Sequence, residues 1–247
     1  MAQLDSKVAI ITGAAQGMGS AHARLFVERG AKVILTDVLE AGKSLAQSLG
    51  PNAMFIHHDV SEATGWKSVV RQAEARFGTI NVLVNNAGIL GPIAATTEIT
   101  EEQYLRVCAV NQVGVFLGMQ AVIPSMLRAG GGSIVNVSSI SGMVAVYGSP
   151  SLAYVASKFA VRGMSKQAAV EYGAKGIRVN SVHPGYIRTP MMVAGTGENG
   201  GEAVPQIPLG RIADPVEVSH LVAFLASDEA SFISGTEHVI DGAMIAQ

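Results

Sequence analysis

The sequence predicts an α/β fold: a single doubly wound domain with a parallel seven-stranded sheet and helices on both faces. Three observations predict it. Short β-branched runs alternate with segments of helical period along the whole chain, and repeated strand–helix–strand order places successive strands in parallel. Glycines at 30, 50, 78, 130–132 and 176 stand where the helical segments stop, as C-terminal caps do. A chain of 247 residues with 49% apolar side chains can bury one sizeable core.

The elements follow in order. The run 8–12 (Val-Ala-Ile-Ile-Thr) reads as the first strand, and helical period over 18–29 stops at Gly30. A second strand over 32–36 precedes a helix over 40–49 closed by Gly50, and a third over 53–57 precedes a helix over 62–77 closed by Gly78. The fourth strand, 82–84, leads to a long helix over 101–128 that ends at the glycine triplet. Strand 133–137, helix 152–174, strand 178–182, helix 215–226 and strand 238–240 complete the series. The stretch 191–208, with glycines at 195, 197, 200 and 201 and prolines at 205 and 208, is too glycine-rich to predict core packing. It reads as a loop, either loose on the surface or a lid over about 190–210.

Charge and cysteine content exclude several classes. A formal net charge of -2 lacks the basic excess that phosphate-backbone binding needs, so no nucleic acid is expected. Cys108 is the sole cysteine, which rules out an intrachain disulfide and a thiolate zinc cluster. No charged leader precedes an apolar stretch, and no run approaches the roughly 20 residues of a membrane span. A cytoplasmic protein with no membrane partner is expected.

Thr12-Gly13-Ala14-Ala15-Gln16-Gly17-Met18-Gly19 joins the first strand to the first helix. Gly13 permits a tight turn, Gly17 lets backbone approach a pyrophosphate, and Gly19 allows close helix–strand contact. The helix N-terminus adds unpaired N–H groups and a positive dipole end, with Gln16 and Met18 beside it. Asp37 ends the second strand 18 residues after Gly19. A carboxylate there accepts hydrogen bonds from a ribose 2′-OH and repels a 2′-phosphate, which favours NAD over NADP; capping the next helix is the alternative role. Asp59 and Val60, after the third strand, are weaker candidates on the adenine side.

These features, with Asn85-Asn86-Ala87-Gly88 after the fourth strand, Asn111, Ser138-Ser139, Tyr154-Val155-Ala156-Ser157-Lys158 and Pro184-Gly185, resemble the short-chain dehydrogenase/reductase family in its compact, single-domain Rossmann-type form. The chain looks most like bacterial NAD-linked members acting on steroid, cyclic or other secondary alcohols. The resemblance implies a cofactor half over about 1–130, a substrate and catalytic half over about 131–247, and a homotetramer built through the two long helices. The stretch from Ser139 to Tyr154 is two residues longer than in many members. The extra residues are placed at 147–151, and Ser141 stays a rival to Ser139.

Tyr154 and Lys158 are four apart in a helical segment and so share one face. An ammonium nearby is expected to lower the tyrosine pKa, making it a usable base. The resemblance implies Tyr154 as general acid/base, Lys158 on the nicotinamide ribose, Ser139 on the substrate oxygen and Asn111 on a proton-relaying water. It also implies Asn86, Ala87 and Gly88 along the adenosine half, and Pro184, Gly185, Ile187 and Thr189 at the nicotinamide carboxamide.

No catalytic metal is expected: His57 and His58 are adjacent and face opposite ways, and no H-E-x-x-H pair occurs. Gln247 could belong to a structural metal site at a subunit interface. Met143, Met191 and Met192 could line an apolar pocket or fill core. The reaction expected is hydride exchange between NAD and a small-molecule alcohol or ketone. Rival readings are a 3-oxoacyl thioester reductase, with Arg106, Arg128 and Arg162 as a carrier-docking patch, a non-catalytic dinucleotide-binding regulator, and a sugar-nucleotide epimerase, disfavoured by glycine spacing and length.

Overall fold

The computed structural model describes residues 3–145, 148–197 and 200–246. The strands are β1 (Val8–Thr12), β2 (Lys32–Asp37), β3 (Ala53–His57), β4 (Val82–Asn85), β5 (Gly132–Val137), β6 (Ile177–Pro184) and β7 (Glu237–Ile240). They form one sheet in the order β3-β2-β1-β4-β5-β6-β7, and every adjacent pair is parallel. The order reverses between β1 and β4, which opens a crevice above their C-terminal ends.

Helices cover both faces: α1 (Gly17–Glu28), α2 (Ala41–Leu49), α3 (Ala63–Phe77), α4 (Glu101–Cys108), α5 (Gly114–Arg128), α6 (Leu152–Tyr172), α7 (Pro190–Thr196) and α8 (Pro215–Ala226). Two cores result. Ala9 and Ile11 of β1 pack with Phe26, Leu35 and Val222 on one face, while Val8 and Ile10 pack with Trp66, Leu83 and Met126 on the other. Burial on both faces is why the strands read as unbroken apolar runs. Each such side chain contributes about 1.5–3 kcal/mol on burial.

The strands run further than the sequence predicts, β2 to Asp37, β4 to Asn85 and β6 to Pro184. The additions to β2 and β6 carry Asp37 and Pro184 to the rim of the site, whereas Asn85 is buried with its Nδ2 donating to Asn136 Oδ1 at 2.9 Å.

The helix expected over 101–128 is continuous but not uniform. A capping box between Thr100 and Gln103 starts it, and a π turn over Ala109–Val113 interrupts it, with the Gly114 N–H donating to the Ala109 carbonyl. At 28 residues it is long and apolar enough to cross a membrane. This corrects the expectation that no run approaches that length: residues 107–127 carry no charge, and the polar Asn111, Gln112 and Gln120 among them interrupt the apolar pattern without breaking the helix. Half of its apolar window is buried inside the fold.

The stretch 191–208 is a second correction. Thr189 accepts a hydrogen bond from the Met192 N–H and Pro190 occupies the first turn, so α7 begins there. A 3-10 turn over Gly201–Gln206 follows, and Met192, Ala203 and Ile207 are buried. Local capping and a few anchoring side chains override the glycine content. Tyr147 and Gln247, on which the insertion and terminal-metal readings bear, lie outside the described residues.

Candidate active site

The turn between β1 and α1 is locked from the neighbouring strand. The Thr12 hydroxyl accepts from the Asn86 and Ala87 N–H groups at 3.0 Å each, and Asn86 Nδ2 donates to the Thr12 and Gly13 carbonyls at 2.9 and 3.2 Å. Gly13 sits at φ +63°, and a Cβ there would lie 2.8 Å from Ala87 Cα. A Cβ on Gly19 would lie 2.1 Å from the Gly13 carbonyl oxygen. Gly19 is therefore needed for helix–turn contact, rather than the helix–strand contact expected. Gln16 is extended and offers α1 no side-chain cap, so the helix N-terminus faces the crevice without one.

Gly13, Gln16, Gly17, Met18, Asp37, Asp59, Val60, Asn86, Ala87, Gly88 and Thr189 line this crevice together. Asp37 is nearly buried, and its two oxygens accept from the Ala15 N–H at 2.9 Å and the Leu39 N–H at 3.0 Å. It does not cap α2, whose N-cap is Glu40. Burial would raise the Asp59 carboxyl, but the Ser61 hydrogen bonds and Arg106 hold it below the usual range. Among the described residues, Asn86 Oδ1 and both ring nitrogens of His58 are buried without a partner. Val38, Leu39, His58 and Arg106 line the crevice too, and the sequence gives no sign of it beyond their nearness to Asp37 and Asp59.

A second cavity adjoins the first and shares Met18, Thr189 and Met191 with it. Ser139, Tyr154, Pro184, Gly185 and Ile187 line it. Pro184 is the last residue of β6, Gly185 N–H donates to the Ile240 carbonyl at 3.0 Å, and Ile187 bridges to Ala213. The Tyr154 phenol and the Ser139 hydroxyl face each other across the cavity wall, near enough to influence one another. Ser139 is fixed in turn, its Oγ accepting from the Ser141 N–H at 3.1 Å and its carbonyl meeting His183 Nδ1 at 2.9 Å. Ser141 lines the cavity but reaches this pair only through its backbone, which favours Ser139 over its rival.

Lys158 is buried behind them. Its Nζ donates to the Val137 carbonyl at 2.9 Å and lies 5.6 Å from the centroid of the Tyr154 ring. Burial lowers its pKa to about 8. The Tyr154 phenol is raised, by burial against the opposing influence of the Ser139 hydroxyl. This corrects the expected depression: the ammonium faces the ring rather than the phenolic oxygen, and desolvation outweighs it.

Asn111 lies in the π turn with its side chain fully engaged. Oδ1 accepts from the Ile89 N–H at 2.8 Å, and Nδ2 donates to the Ile89 carbonyl at 2.9 Å and to Ser157 Oγ at 3.1 Å. The amide thus ties the helix to the strand-end loop, and any water it serves would meet main chain. A Cβ on Gly88 would come within 3.4 Å of Asn111 Oδ1 and 3.5 Å of Lys158 Nζ, so this backbone runs close to both. Met191 and Met192 line the cavity, whereas Met143 does not. Leu90, Ile93 and Tyr186 complete its apolar wall, unforeseen because loop contacts leave no periodic signal.

A protein-family model described as Enoyl-(Acyl carrier protein) reductase matches residues 13–244. The chain is 46% identical to a 3-alpha-(or 20-beta)-hydroxysteroid dehydrogenase of Mycobacterium tuberculosis, over 99% of this chain and 91% of that one. It is 43% identical to a trans-4-hydroxycyclohexanecarboxylate dehydrogenase of Sinomonas cyclohexanicum, over 97% and 93% of the two chains. The structure of a short-chain type dehydrogenase/reductase from Mycobacterium marinum superposes with a TM-score of 0.94 at 34% identity, covering 99% and 98%. The chain belongs to the short-chain dehydrogenase/reductase family of oxidoreductases.

Proposed function

We propose that the protein transfers a hydride between NAD(H) and a secondary alcohol or ketone, with Tyr154 as general acid/base. The observation that carries this is the Tyr154–Ser139 hydroxyl pair lining an apolar cavity that opens onto the glycine-walled crevice. The crevice suits a dinucleotide: it has a left-handed Gly13, an uncapped helix N-terminus, and buried polar atoms without protein partners. Bound there, the nicotinamide supplies the hydride chemistry.

The residues do the rest. Ser139 and Tyr154 hydrogen-bond the substrate oxygen, where charge develops. Tyr154 takes the hydroxyl proton in oxidation and returns it in reduction, with the Lys158 cation held against its ring. A water held by the main chain beside Asn111 would carry that proton to solvent, the side-chain amide being engaged by Ile89 and Ser157. Asp37 favours NAD on this reading, since a fixed carboxylate lining the crevice would repel a 2′-phosphate; Asp59 and Val60 would flank the adenine. Pro184, Gly185, Ile187 and Thr189 hold the carboxamide end, so residues 1–130 serve mainly the cofactor and 131–247 the substrate, with α7 as lid.

The acyl-thioester reading loses its docking patch. Arg106, Arg128 and Arg162 are each ion-paired, with Asp59, Glu74 and Glu237, so little free positive charge is left for an acidic carrier. Assembly as a homotetramer is supported by exposed Leu105, Phe116 and Phe159 on the long helices, and light scattering tests it. The function is tested by following NADH formation from secondary alcohols, with NADP in parallel. Turnover with NAD is expected, and none with either cofactor would overturn the reading.

A further inference from the structure

We infer that the substrate cavity selects for an uncharged, ring-sized ketone or alcohol and rejects the same ring bearing a carboxylate. The inference rests on the proposed function only in taking this cavity as the place where substrate sits. Among the described residues that line it, no side chain carries a charge. The segments that supply its lining, 90–93, 138–141, 149–154, 184–187 and 189–196, contain no lysine, arginine or histidine. The nearby arginines are occupied elsewhere, Arg188 with Asp214 and Arg211 with Glu217. Lys158 is turned away to the Val137 carbonyl.

The roof is apolar. A Cβ on Gly195 of α7 would lie 3.3 Å from Leu90 and 4.0 Å from Ile93, so the helix rests directly on that loop. A neutral ring placed with its oxygen on Ser139 and Tyr154 meets Leu90, Ile93, Met191 and Met192 at its far end. A carboxylate among these side chains would give up part of its hydration and find no cation, and a desolvated charge without a partner is disfavoured. One of the relatives bears a name specifying a carboxylated ring, so members that take such a charge exist within the family.

The test compares 4-oxocyclohexanecarboxylate with its methyl ester, which keeps the ring and removes the charge. Binding to the full chain is measured calorimetrically with NAD+ present, and reduction is measured separately with NADH. The ester is expected to bind and to be reduced at least about 100-fold better than the acid. Ile93→Arg, at a position 46% exposed and so tolerant of a longer side chain, is expected to narrow that ratio about tenfold by supplying the missing cation. Equal binding of acid and ester, or binding of neither, overturns the inference. Selective binding of the ester without its reduction upholds charge selection and overturns the hydride reading alone.

Discussion

Lys158 Nζ faces the Tyr154 ring at 5.6 Å and donates to the Val137 carbonyl at 2.9 Å, so the amine is tethered to β5 while its charge lies against the aromatic face. The phenol itself faces the Ser139 hydroxyl. Removing only the phenolic oxygen leaves the tether and the crevice intact. Tyr154→Phe is expected to keep NADH affinity within a few-fold, read by fluorescence titration, while kcat/KM falls by roughly 100-fold or more. Turnover near that of the parent protein would remove Tyr154 from proton transfer.

The same amine makes the site costly for the fold. Burial lowers Lys158 from 10.5 to about 8, so below pH 8 the folded state keeps a desolvated cation that the unfolded chain solvates freely. The unfolded state binds the proton more tightly, and stability therefore rises with pH between about 8 and 10.5. The shift corresponds to about 3 kcal/mol at neutral pH, offset by about 1 kcal/mol for the bond to Val137. Lys158→Met is expected to abolish most turnover yet raise unfolding stability at pH 7 by about 2 kcal/mol, measured with urea. In the parent protein, ketone reduction should decline as pH rises through about 8, where the cation is lost. Lys158→Arg, if it folds, should carry that decline to higher pH.

Two buried histidines set the acid limit. Burial lowers His22 to about 3; His58, lowered chiefly by burial with His57 adding to it and Asp59 opposing, falls to about 4. His22 binds Ser219 across the α1–α8 contact, and His58 stacks edge-on against Trp66. Both stay neutral in the fold while the unfolded chain protonates them below about 6.5. Their contribution is thus complete above that pH and lost as pH falls toward 4, by about 2 kcal/mol each at pH 5. Urea midpoints between pH 7 and 5 should fall accordingly, and the slope should flatten in His22→Gln. A pH-independent midpoint would mean that both rings are solvated.

Much of this was legible in the chain, for physical reasons. Strands buried on both faces leave unbroken runs such as Val8 to Ile11, and the four-residue spacing of Tyr154 and Lys158 guarantees a shared helix face. What escaped depends on tertiary structure. The π turn around Asn111 leaves no compositional mark, because it is held by a side chain clasping Ile89, 22 positions away. The helix α7 was hidden by four nearby glycines, though Thr189-Pro190 carried its start. The direction of the Tyr154 shift could not be read at all, since desolvation is set by neighbours from β5, β6 and the lid. Leu90 and Ile93 reach the cavity through a loop, where periodicity has nothing to say.

Asp37 joins cofactor choice to stability. Its oxygens satisfy the Ala15 and Leu39 N–H groups, so removing the carboxylate both lifts the repulsion of a 2′-phosphate and strands two donors. Asp37→Ala is expected to shift the ratio of NADP to NAD efficiency upward by about tenfold or more, while lowering stability by about 1–3 kcal/mol. Asp37→Asn, which keeps one acceptor oxygen, should relax selectivity with a smaller stability loss. An unchanged cofactor ratio in both variants would move selection to Asp59.

Gly19 tests whether the turn is shaped for its ligand or merely tolerates glycine. A methyl group at this position would meet the Gly13 carbonyl oxygen at 2.1 Å and Asn86 Nδ2 at 2.7 Å. Neither is the end of a flexible side chain free to swing clear, because Asn86 is itself bonded to the Thr12 and Gly13 carbonyls. Gly19→Ala must therefore displace the β1–α1 turn or the start of α1. NADH affinity is expected to fall at least about tenfold, since backbone approach to the pyrophosphate depends on that turn. The far side of the sheet should be spared: none of residues 13–19 belongs to the Trp66–Leu83–Met126 core, and tryptophan fluorescence from Trp66 should stay that of the parent. Gly163→Ala, in α6 with no atom within 4 Å of the added carbon, is the control and should bind NADH normally. Parent-like affinity in Gly19→Ala would show that the turn yields at little cost and is not what holds the dinucleotide.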